Sequence, residues 1–216
     1  MNNIKGLIAA LALAVTGSVN AGVLTFELDH EFSGAVAPSG TGPWLTATFD
    51  DNGSAGTVTL SLEANLSSGE FIDNFYFNLD PNLHPINDLS ISTPYAPELS
   101  GWVRGPDCCK ADGDGFYDVQ LNFYNSGANR FDATDIVTVY LIGNGITASS
   151  FDYLSAPGGG KGPFLAASHV QGTGAGNQDS GWIAPSNGTT QIPAPASMLL
   201  LGIGLLGLGF ARKNRV

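Results

Sequence analysis

Basic side chains are scarce in this sequence: Lys and Arg number 8 against 19 Asp and Glu in 216 residues. Lys5, Arg212, Lys213 and Arg215 lie at the two ends, so residues 22 to 195 hold four cations beside all nineteen carboxylates, a net of −15. A stretch so negative repels phosphate backbones and anionic lipid heads, which are bound through Lys and Arg. Nucleic acid is therefore excluded as a partner. Thiols are as rare, with Cys108 and Cys109 alone, and no His stands near them, which argues against a zinc site. His30, His84 and His169 are the only imidazoles. His30-Glu31 is followed by Gly34 where a zinc protease carries its second His, and no Gly-x-Ser-x-Gly elbow occurs. Between the ends, no window of 11 residues has the apolar spacing of an amphipathic helix, and 29 Gly and 12 Pro are scattered too densely for long helices.

What is present is a period of two. Leu24, Phe26 and Leu28 alternate with Thr25, Glu27 and Asp29; Leu45, Ala47 and Phe49 alternate with Thr46 and Thr48; Val58, Leu60, Leu62 and Ala64 alternate with Thr59, Ser61 and Glu63. Phe71 to Leu79, Tyr117 to Tyr124 and Asp135 to Ile142 read as further strands, and Phe164 to Gln171 and Trp182 to Ala184 as weaker ones. Asp51-Asn52-Gly53 is a turn signal. The fold class is all-β, with residues 22–184 forming an antiparallel β-sandwich or jelly-roll-like ectodomain. Phe26, Phe49, Phe71, Phe75, Phe77, Phe123, Ile136 or Val137, Val139 and Leu141 are its expected core. Residues 185–192, in a Gly, Ser, Thr and Asn-rich stretch, are expected to be a flexible stalk.

The ends differ from this middle. Residues 1–21 have a polar start with Lys5, an apolar run from Gly6 to Val15 and small residues up to Ala21, the form of a secretory signal peptide. At the other end, Ala196 to Ala211 is 16 residues without a charge, about 24 Å as a helix and so just able to enter a hydrocarbon core of about 30 Å. Arg212, Lys213 and Arg215 follow, and such a cluster marks the cytoplasmic side.

The order of Pro193-Ala194-Pro195, a short Gly/Leu-rich apolar helix and a terminal basic cluster resembles the PEP-CTERM sorting signal of exported bacterial proteins. Ala194 stands where that family has Glu. The resemblance covers residues 193–216 and implies an exosortase as partner, an integral-membrane cysteine protease-like enzyme that cuts near the Pro-x-Pro step. It also implies transient insertion in the inner membrane, a destination at the cell surface or outside the cell, and association with matrix or biofilm polysaccharide. A permanent single-pass anchor is the alternative. The run from Gly158 to Gly172 and Asp179 to Ile183 also resembles ectodomains that accompany this signal, and it names no activity.

The densest polar cluster is Asp107-Cys108-Cys109-Lys110-Ala111-Asp112-Gly113-Asp114-Gly115-Phe116-Tyr117-Asp118. Asp112, Asp114 and Asp118 fit positions 3, 5 and 9 of a calcium loop, but Lys110 and Leu121 fill positions 1 and 12, so the EF-hand pattern fails at both ends. A solvated acidic turn is the favoured reading, and a looser calcium site with Asp107 is the alternative; no other cofactor is expected. Cys108 and Cys109 must bridge each other, pair between chains or stay free; adjacent Cα atoms are about 3.8 Å apart, closer than the usual disulfide range. Trp44, Trp102, Trp182, Tyr95, Tyr124 and Tyr153 suit either core packing or a sugar-stacking platform, with packing favoured. No catalytic residue is singled out. The expectation is a non-enzymatic structural or adhesive surface protein, with a calcium-assisted carbohydrate-binding module or a secreted glycan hydrolase as rivals.

Overall fold

A computed structural model describes residues 22–186 and 190–192. Thirteen strands lie in one hydrogen-bonded sheet: β1 Val23–Glu31, β2 Leu45–Asp50, β3 Thr57–Ala64, β4 Phe71–Phe77, β5 Ser90–Tyr95, β6 Leu99–Lys110, β7 Gly115–Phe123, β8 Phe131–Asp132, β9 Ile136–Ile142, β10 Ala156–Pro157, β11 Ala166–Thr173, β12 Asp179–Pro185 and β13 Thr190–Ile192. Among the described residues, helix is confined to two single turns, Ile86–Asp88 and Ala148–Phe151. None among the described residues is long and apolar enough to cross a membrane. Every strand pair is antiparallel, and the main path runs β10-β7-β4-β11-β12-β1-β2-β3-β9-β5.

Alternation explains how this one sheet makes a sandwich. Leu24, Phe26 and Leu28, then Leu45, Ala47 and Phe49, then Val58, Leu60 and Leu62, then Val137, Val139 and Leu141 all point to one buried cluster. Ile72, Phe75, Phe77, Val119, Leu121, Phe123, Ala166, Val170 and Ile183, from the other half of the path, enter the same cluster. Phe49 on β2 meets Phe77 on β4 edge to face, with centroids 5.5 Å apart, and stacks on Phe151 at 4.9 Å. The sheet thus folds over itself, and burying each large side chain is worth about 1.5–3 kcal/mol. The corner is β1: its first half pairs β13, its second half pairs β12, and the register slips between Leu28 and His30. A bulge at a corner lets one strand serve two layers. The antiparallel sandwich reading holds, Val137 is the buried member of the Ile136 and Val137 pair, and Ile136 faces solvent.

Two expectations change. The stalk assigned to residues 185–192 instead begins with the end of β12 and ends in β13, where Ile192 opposes Val23 and Gln191 opposes Leu24. Unpaired backbone donors and acceptors at the start of β1 give Thr190–Ile192 a partner that composition cannot reveal. The cysteine-bearing half of the acidic cluster is strand, since β6 runs on to Lys110. The signal peptide at 1–21 and the Pro193-to-Arg215 signal lie outside the described residues.

Candidate functional site

A cleft opens where the sheet is broken. Along one edge of β7, β4 pairs with Val119–Asn122 and β10 pairs with Gly115 and Phe116, which leaves Tyr117 and Asp118 without a strand between them. Along the other edge, β6 follows Arg104↔Val119 and resumes at Cys109↔Tyr117, so residues 105–108 bulge out of the ladder. Pro106 has no N–H to give to a ladder, and Asp107 sits in the left-handed region at φ 48, which Asp tolerates better than most residues.

The side chain of Asn78 spans the gap. Its Oδ1 accepts the N–H of Asp118 at 3.1 Å, and its Nδ2 donates to the Tyr153 carbonyl at 3.3 Å. Beside it is a cleft of about 600 Å³, lined by Asn78, Pro81, Pro106, Asp107, Asp118, Asp152, Tyr153, Leu154, Ser155, Ala156 and Pro157. That volume is typical of small-ligand sites.

Asp118 forms part of the lining, 8% exposed. Its two oxygens accept the N–H groups of Leu79 (3.3 Å) and Asp107 (3.0 Å). Burial raises its carboxyl above the ordinary carboxylate range, and these two hydrogen bonds pull the other way. The ion pairs among the described residues are Arg130–Asp132 and His169–Asp73, and neither Asp107 nor Asp118 takes part in one. Leu154 is exposed, and Tyr153 and Pro81 stand at partly or fully exposed positions.

Of the four carboxylates considered for calcium, Asp107 and Asp118 line this cleft together. Asp112 is exposed in the β6–β7 turn, whereas Asp114 is 1% exposed and bonded inward. The Tyr117 hydroxyl donates to Asp114 Oδ2, and the Ser155 hydroxyl reaches the same oxygen at 3.1 Å. Burial raises the Asp114 carboxyl despite both donors. Its work is to hold residues 155–164 against β7, since Ser155 also accepts the N–H of Phe164 at 3.1 Å. Among the described residues no three His, Cys, Asp or Glu side chains gather to hold a metal.

Cys108 and Cys109 are joined to each other at the bulge, with Cα atoms 3.7 Å apart. The six aromatics do not form one platform. Trp44 is buried with its indole N–H donating to Ser39, Tyr95 belongs to β5 at the far end of the strand path, and Tyr153 alone reaches the cleft.

Sequence reasoning missed Pro81, Pro106, Asp152, Leu154 and Pro157, because they come from three chain segments that only the topology joins. The Pro-Asp step inside an otherwise extended run was the available signal for the bulge.

His169 stacks on Trp182 with centroids 4.7 Å apart and shares a hydrogen bond of 3.3 Å with Asp73. That bond, first among several causes, holds the Asp73 carboxyl below its ordinary range.

Neither a curated protein nor a solved structure matches the chain. A family model does match its end: residues 191–213 fit the PEP-CTERM protein-sorting motif, so this all-β domain carries the sorting signal of exported exosortase substrates.

Proposed function

We propose that this is a non-enzymatic protein of the cell surface or extracellular matrix, delivered by an exosortase and acting there through structure or adhesion. The observation that carries the reading is the sorting motif at 191–213, which begins inside the last strand of the sandwich. The domain is thus the cargo that the signal delivers. A transient stay in the inner membrane, with Arg212, Lys213 and Arg215 on the cytoplasmic side, follows from the charge rule for such tails. A rigid sandwich with a strongly negative surface stays soluble and self-repelling, which suits a secreted component.

Mass spectrometry of surface and matrix fractions tests this reading. The mature form is expected to begin after Ala21 and to end near Pro193-Ala194-Pro195. Intact Val216 in that fraction would exclude processing. Turnover of a glycan panel by the purified protein, abolished by one carboxylate substitution, would replace the adhesive reading with a hydrolase.

A further inference from the structure

We propose that the cleft at the gap between β4 and β10 binds a protonated amino sugar within a polysaccharide. The proposal deepens the adhesive reading and rests on it for its biological setting. Its physical basis is that the cleft has two kinds of wall and one sign of charge. Ring and CH surfaces of Pro81, Pro106, Leu154 and Tyr153 face a ligand with flat, saturated faces. The carboxylates of the lining are those of Asp107, Asp118 and Asp152, with no Lys, Arg or His among the lining residues.

Asp107 and Asp118 form no ion pair among the described residues. Asp118 is nevertheless taken out of water, held by two backbone N–H groups and by the Asn78 bridge to its own strand. A carboxylate in a partly dry cleft interacts with an ammonium more strongly than the same group on open surface. Each oxygen of Asp118 has spare lone pairs for an ammonium or hydroxyl donor. Metal is a poor occupant, since no set of three ligating side chains converges among the described residues. Uronates and phosphorylated glycans are repelled by these carboxylates. A hexosamine satisfies both features at once, with its ammonium toward Asp107 and Asp118 and its ring CH groups on proline and tyrosine. A lysine side chain supplies the charge but only a flexible methylene stem, whose ordering costs entropy on binding.

Calorimetric titration of the purified protein with a glucosamine tetramer, its fully N-acetylated counterpart and pentalysine tests the proposal. One-to-one binding is expected for the glucosamine tetramer, and little for the other two. Asp107→Asn keeps a residue that accepts the left-handed backbone and removes the charge. It should weaken the tetramer about tenfold, the worth of one charged hydrogen bond. Tyr153→Ala should weaken it by a similar factor, with a thermal midpoint near that of the parent for both variants. Equal affinity for the acetylated tetramer or for pentalysine overturns the proposal, as does full binding by both variants. Matrix-bound protein that takes up no tetramer sinks the ligand and leaves the adhesive reading standing; failure to associate with matrix at all sinks that reading, whatever the cleft binds.

Discussion

Asp114 shows how far a single residue can be read. Its place in an Asp-x-Asp-Gly turn suggested a solvated acidic side chain, with a calcium ligand as the alternative, yet it is sealed beneath residues 155–164, bonded to the Tyr117 and Ser155 hydroxyls. Ser155 is 41 positions away, and nothing local predicts that meeting. Tyr117→Phe keeps the ring and removes one donor from a buried carboxylate. It should cost about 2 kcal/mol in urea unfolding at neutral pH, with the loss shrinking as acid protonates Asp114. A variant as stable as the parent would show that the pair contributes nothing. Asp73 has the opposite sign. Its folded carboxyl is held low by His169, so its contribution is present above the ordinary carboxylate pKa, about 3.9, and disappears as pH falls through the lower folded value. Asp73→Asn should therefore lower the unfolding midpoint near neutrality and flatten the decline toward low pH. An unchanged acid limb would reject this role.

At the scale of elements, the strands with strict alternation were legible. β1, β2 and β3 hold Leu and Phe on one face and Thr on the other because one face is dry. β6 was not legible: it is an edge strand, exposed along most of its length, so nothing selects an apolar period, and Gly101, Gly105 and Pro106 disguise it as loop. β10 has two residues and survives through a close approach rather than through propensity. A Cβ on Gly115 would lie 2.1 Å from the Ala156 carbonyl oxygen, which is backbone and cannot step aside cheaply. Gly115→Ala should push β10 off β7 and cost at least about 2 kcal/mol. Hydrogen exchange should show faster amides in residues 155–158 while β2 and β3 stay protected. Unchanged exchange there would mean that the pairing does not depend on this contact. Such a variant also widens the strand gap, so it should disturb the cleft without touching its carboxylates.

For the whole molecule, the sequence showed the class of fold and the sorting address, since both are written in local patterns. The cleft was hidden, because its walls are joined by topology alone. So was the pairing of β13 with the start of β1. Residues 191 and 192 belong both to β13 and to the sorting motif, so the recognition sequence starts without a spacer. An enzyme cutting near Pro193-Ala194-Pro195 must work against the flank of a folded sandwich. Inserting a Gly/Ser spacer of about ten residues between Ile192 and Pro193, long enough to behave as flexible coil, should speed maturation in a pulse-chase experiment. An equal rate would show that β13 does not hinder the cut.

The pairing of Ile192 with Val23 also decides what the released protein is left with. A cut within the next few residues leaves almost no trailing peptide. The new carboxyl end is a stub beside a hydrogen-bonded strand, and an exopeptidase has little to grip. With the tail removed as proposed, the finished protein should resist carboxypeptidase trimming until β13 itself peels away.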